Sequence, residues 1–278
     1  MTSRRLVLAS ALALGIPAAR AQPASRPDWL AAAPRERIAD RFPPPPSHKR
    51  PDSPADGFGV WLRALPLLPA GAPVLLHDGR PRGRQDGVAA VVDIDVGARD
   101  LQQCADAIIR LRAEYLRAAG RMAALSFRFT NGDPYAYADY LAGRRPVPRG
   151  AGIAWSTAAR AADTRAAFRH WLDIVFTYAG TLSLARELAA VREPARIEAG
   201  DVLIQPGSPG HAIVAVDVAT RPDGGRIASF AQSFMPAQSV HVLRGPVAGA
   251  WYPVDAGQPI DTPDWRFAAS DLRRFPTV

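Results

Sequence analysis

The sequence predicts an α+β domain in which a helical layer carrying a cysteine packs on an antiparallel sheet carrying a histidine. Three observations lead there. Asp100 to Leu116, DLQQCADAIIRLRAEYL, places Leu101, Cys104, Ile108, Leu111 and Tyr115 at helical spacing. Thr164 to Thr177 does the same with Phe168, Trp171, Leu172 and Val175. Behind them come short apolar runs at Ile197 to Gln205, Ala212 to Val218, Ile227 to Ser233 and Val240 to Leu243, and strands that follow helices in this order indicate an antiparallel sheet.

The chain has 278 residues, 48% of them apolar, enough for one sizeable core. Residues 1 to 21 read as an export signal: Arg4 and Arg5, an apolar run from Leu6 to Ile16, and Ala19-Arg20-Ala21 as a small-x-small cleavage site. The run is too short for an ordinary transmembrane helix, so no transmembrane segment is expected in the mature chain. Ser3 to Leu8 matches a twin-arginine signal, with a Sec signal as the alternative. Cleavage removes three arginines and no acid, taking the formal charge from +8 to 8 − 3 = +5. A basic protein in the periplasm or outside the cell meets the polymers of the envelope rather than nucleic acid. One cysteine excludes an internal disulfide framework and a thiolate-rich zinc site, and no cofactor is expected.

Gln22 to Ala55, with Pro43 to Pro46, reads as a proline-rich tether, and residues 56 to 278 as one domain. Phe58 to Leu65 predicts a short helix stopped by Pro66, and Val74 to His77 a strand turning at Asp78-Gly79. Val88 to Val96 predicts a strand with Asp93 and Asp95 on one face, a solvated pair in preference to a metal site. Leu125 to Thr130 predicts a strand broken at Asn131 to Pro134, and Leu182 to Ala190 a helix.

Cys104 falls in the first turn of its helix, with Asp100 as the expected cap and Gln103 closing a capping box. Unpaired N–H groups and the helix dipole there favour a thiolate, whereas the apolar stripe favours a buried, inert thiol. His211, just after Gly210 at the mouth of a strand, is placed as a general base. Gln232 on the next strand offers an amide oxygen to hold the imidazole tautomer, with Ser233, Gln238 and His241 as alternatives. The backbone at Cys104, helped by Gln102 or Gln103, is the candidate oxyanion site. His48 and His77 read as solvated, and His170 as a surface residue. Trp251, Tyr252 and Trp265 read as packing residues or a glycan groove.

The blocks DLQQCADAIIRLRAEYL, YAGTLSL, GDVLIQPGSPGHAIVAVDV, AQSFMPAQSVHVL and TPDW resemble a family of uncharacterised exported bacterial proteins, domain of unknown function 4846, over roughly Phe58 to Phe275. More widely, Cys104, His211 and Gln232 resemble the site of papain-like and NlpC-type cell-wall hydrolases. That resemblance implies a papain-like fold and a cysteine amidase or peptidase, with envelope peptides as substrate. It departs at Gln103-Cys104-Ala105-Asp106, where NlpC-type enzymes show Asp-Cys-Ser-Gly, and in the longer 211 − 104 = 107-residue separation. The alternative expectation is a catalytically silent envelope-binding protein of the same fold.

Overall fold

A computed structural model describes residues 29–30, 36–150, 152–255 and 257–277; the expected signal at residues 1 to 21 lies outside them. Helices α1 (Ile38–Arg41) and α2 (Phe58–Arg63) precede strand β1 (Val88–Val91) and the long helix α3 (Cys104–Ala118). A hairpin of β2 (Ser126–Arg128) and β3 (Pro134–Ala136), helix α4 (Tyr137–Leu141), and a second hairpin of β4 (Arg144–Arg149) and β5 (Gly152–Thr157) follow. Then come α5 (Arg165–Tyr178) and α6 (Thr181–Glu187). The remainder is β6 (Ala189–Ala190), β7 (Val202–Gln205), β8 (His211–Thr220), β9 (Arg226–Gln232), β10 (His241–Leu243), β11 (Trp251–Val254), β12 (Ile260–Asp261), β13 (Arg266–Phe267) and β14 (Leu272–Arg274).

Eight strands form one antiparallel sheet in the order β1-β10-β9-β8-β7-β14-β6, with β11 also paired to β9. The apolar run of β8 is explained by burial on both faces. Ala212, Val214 and Val216 pack into the core that holds α3 and α5, whereas Ile213 and Ala215 pack into a second core with Tyr252, Val254 and Phe267.

Helix α3 is buried from Cys104 through Leu116, more completely than its apolar stripe indicates. Its charges are accommodated in pairs: Arg110 donates to Glu114 at 2.6 Å, Gln102 at 3.0 Å and Asp95 at 2.9 Å, and Arg165 closes on Glu114 from α5. Removing one partner would strand a buried charge, the costly case for such networks. Because Asp95 answers to Arg110 and Arg169, its carboxylate is committed to guanidinium groups.

The fold departs from the sequence expectation in three places. Ile38 and Phe42 are buried, Lys49 bridges Thr220, and Arg50 binds Asp217 at 2.7 Å, so the expected tether is part of the fold from residue 38. Val74 to His77 forms only isolated bridges at Leu75 and Leu76. The β4–β5 hairpin went unforeseen because Pro146 and Pro148 argue against a strand; they are tolerated because β4 pairs on one side only.

Trp171 on α5 is fully buried against Phe127, Tyr137 and Phe168, with ring centroids 5.3 to 5.9 Å away. Trp171→Ala is expected to lower unfolding free energy by about 3–5 kcal/mol in a denaturant titration. Trp171→Phe is expected to cost less, since the indole N–H has no partner to lose.

Candidate active site

Cys104 is the first residue of α3, and the capping that places it there is displaced from the expected position. Gln103 is the N-cap, and the carboxyl of Asp106 accepts its backbone N–H at 3.2 Å. Asp100 instead accepts the Ala237 N–H at 2.6 Å and the Gln103 side-chain amide at 3.0 Å, tying the helix entry to the segment after β9.

The thiol lines a cleft of about 250 Å³ whose walls include Asp106, Phe176, Thr181, Gly210 and Met235. The Gly207–Gly210 loop closes tightly on α6. A Cβ on Gly210 would lie 2.6 Å from the Gly207 carbonyl oxygen and 2.8 Å from Thr181 Oγ1, so only glycine fits. This closure sets where β8 starts and so where His211 emerges.

Burial pushes the Cys104 thiol up to about 11, with nearby Asp106 adding to the rise, while the N–H groups of Ala105, Ala212 and Cys104 itself pull it down. The lowered thiol expected from the helix position is therefore overturned: desolvation outweighs the donors. Alkylation of folded Cys104 by iodoacetamide, followed by mass spectrometry, is expected to reach half-maximal rate well above the roughly 8.5 of a free thiol. A midpoint at or below that value would contradict the burial argument.

His211 is fully buried, its ring 4.7 Å from that of Phe234, 5.3 Å from Trp265 and 5.9 Å from Phe267. Its Nε2 lies 2.8 Å from Gln232 Oε1. With the amide oxygen on that side, Nε2 carries the proton and Nδ1 is the basic nitrogen. Burial lowers the imidazole to about 4, against the Gln232 hydrogen bond and the Asp264 charge, which raise it. At neutral pH both thiol and imidazole are uncharged.

The structure joins His211 to Gln232 and brings the sulfur to the backbone N–H of Ala212, the next residue. It does not pair sulfur with imidazole: His211 is not among the side chains lining the cleft, and no hydrogen bond among the described residues joins the two. Among the alternatives to Gln232, Ser233 Oγ lies 2.9 and 2.8 Å from the Gln102 and Gln238 carbonyl oxygens, and His241 touches Gln232 rather than His211. The Gln102 side chain is held by Arg110, Arg169 and the Asp95 carbonyl, so it is committed elsewhere; Gln103 remains at the cleft.

Sequence reasoning missed Asp264 and Arg82. Gln232 Nε2 donates to Asp264 Oδ2 at 2.7 Å, and Arg82 pairs with Asp264. It also missed Asp106, buried in the cleft wall with Oδ1 unpartnered and its carboxyl raised well above the usual range by burial. Trp251 and Tyr252 are buried packing residues, and Trp265 lies over His211 with its N–H on Gln205 at 2.9 Å. A larger groove, about 640 Å³, lies between Phe58, Arg112, Tyr115 and Phe275 and is lined by no cysteine or histidine. Among the described residues no group of three or more His, Cys, Asp or Glu is placed to hold a metal, and no helix is long and apolar enough to cross a membrane.

The blocks singled out in the sequence converge here. DLQQCAD, YAGT, PGSPG and Met235 of AQSFMPAQ build the cleft, while His211, Gln232, His241, Asp264 and Trp265 form the cluster beside it. No curated protein and no solved structure matches the chain. Residues 38–274 match the family described as Domain of unknown function (4846), which covers most of the chain, and the protein belongs to that family.

Proposed function

We propose that the protein is an exported papain-like thiol hydrolase, of the amidase or peptidase type, acting on an amide bond in the peptide-bearing polymer of the cell envelope. The observation that carries this reading is the position of Cys104: it starts a helix and opens on a cleft, near the backbone of Ala212, the residue after a histidine that is itself held by a glutamine amide. In the reaction, Cys104 Sγ attacks the amide carbonyl carbon as its proton passes to His211 Nδ1. The imidazolium returns that proton to the departing amine, leaving a thioester that water cleaves with the same histidine as base. The developing oxyanion is met by the Cys104 N–H, with Gln103 at the cleft edge. Because thiol and imidazole start neutral, proton transfer accompanies attack, and Nδ1 must close on the sulfur as substrate fills the cleft.

A second reading, a catalytically silent envelope-binding protein, is favoured by a thiol and an imidazole that share no hydrogen bond with each other. The two are separated by incubating the protein with purified envelope polymer and looking by mass spectrometry for new amine and carboxylate ends. New ends support the hydrolase. Polymer that is bound but intact, together with no adduct from a peptide-linked electrophile, supports the silent binder.

A further inference from the structure

We infer that Asp264, clamped by Arg82, is a positioning residue that dictates which nitrogen of His211 is basic, acting through the side-chain amide of Gln232. This inference rests on the thiol-hydrolase reading for its purpose but not for its test. An amide can turn over, exchanging its oxygen and nitrogen, so the bond to His211 alone does not fix the tautomer. Asp264 removes the ambiguity. Its carboxylate, opposite the Arg82 guanidinium, offers only acceptors, and the Gln232 atom 2.7 Å away must therefore be the nitrogen. The atom 2.8 Å from His211 Nε2 is then the oxygen, which leaves Nδ1 bare.

His241 supplies a second, independent constraint. Its Nδ1 lies 3.0 Å from the Ser239 carbonyl oxygen and so donates; its Nε2 accepts from Arg82 at 3.2 Å and from the other Gln232 amide hydrogen at 3.3 Å. Turning the amide over would place oxygen against a carboxylate and against a ring nitrogen that has no hydrogen, losing both donor contacts. Arg82, Asp264, Gln232, His241 and His211 thus form one chain with a single consistent placement of hydrogens. The loop bearing Asp264 is itself pinned: Thr262 Oγ1 accepts the Trp265 N–H at 3.0 Å, and the Trp265 ring covers His211.

The test is the tautomer of His211, read from long-range ¹⁵N–¹H correlations in protein labelled at histidine, with the signal assigned by its loss in His211→Gln. The wild type is expected to show Nε2–H throughout. In Asp264→Ala only the 3.3 Å contact to His241 still orients the amide, and the Nε2–H fraction is expected to fall by about half or more; in Asp264→Asn the Arg82 guanidinium claims the one remaining oxygen, the NH2 faces Gln232, and the fraction is expected to fall likewise. A folded Asp264→Ala protein with His211 still wholly Nε2–H overturns the inference; if alanine does not fold, Asp264→Leu, similar in shape and without an acceptor, is read the same way. Reaction of Cys104 with the peptide electrophile is expected to slow at least about tenfold in Asp264→Ala, the lower range for removing a partner that orients a functional histidine. Should no protein form an adduct while the tautomer responds as stated, the hydrolase reading falls and the positioning role stands.

Discussion

Cys104→Ser is expected to abolish adduct formation with a peptide-linked electrophile, by a factor on the order of 10³ or more, while leaving the fold and any envelope affinity intact. The substitution changes one atom at a site that is 6% exposed. A hydroxyl is close to the thiol in size and can use the same backbone N–H groups around the helix start, so the unfolding free energy should change by no more than about 1 kcal/mol. Chemistry should respond very differently. The thiol already sits at about 11 because of burial and Asp106, so attack depends on His211 removing a proton as the bond forms; an alcohol is a weaker acid and a poorer nucleophile still. Binding and turnover then separate in one variant. If wild type and Cys104→Ser bind envelope polymer equally and neither reacts with the probe, the silent binding protein is the correct description. If Cys104→Ser retains the wild-type adduct rate, the nucleophile is some other residue.

The local signals in the sequence were strong where a single element decides the outcome and weak where distant segments meet. Helical spacing from Leu101 to Tyr115 and the apolar run after His211 located α3 and β8, because a buried face needs apolar residues at the period of its element. The capping box slipped by three residues because Asp100 has a tertiary partner, the Ala237 N–H, that no local pattern reveals. Gln102 was as plausible an oxyanion donor as Gln103 until the buried Arg110 claimed it. The acidity of Cys104 was misjudged for a related reason: proximity to helix N–H groups is visible in sequence, whereas the packing that desolvates the sulfur is not. Gln232 was found as the polar residue closing the strand after β8. Asp264 lies within TPDW, but its 32-residue separation from Gln232 gives no sign that the two meet.

Acid is expected to destabilise the wild type more than a His241→Phe variant, by about 3 kcal/mol between pH 6.5 and pH 4. His241 is fully enclosed, and burial lowers it to about 4, with the charge of Arg82 acting in the same direction and the Ser239 carbonyl and Asp264 opposing. The unfolded chain takes up a proton on this ring near pH 6.5, but the folded chain resists until about pH 4. Over that 2.5-unit interval unfolding is favoured by about 1.4 kcal/mol per unit, and the associated stability is complete above pH 6.5 and lost as pH falls. The wild-type curve alone does not isolate this effect, because buried acids act the other way. Burial raises Asp106, Asp201 and Asp217, and Glu187 to about 7, so these groups favour the fold at low pH and less so as pH rises. His211, also near 4, adds a second contribution of the same sign as His241. Subtracting the His241→Phe curve cancels the acids and leaves the ring, whatever constant penalty phenylalanine adds by depriving Arg82 and Gln232 of their acceptor. Urea unfolding at pH 7, 6, 5 and 4 should therefore show a difference that narrows as pH falls, at a slope of about one proton. Parallel curves would mean that His241 is charged within the fold or exposed to solvent, and the hydrogen placement through Gln232 to His211 would have to be redrawn.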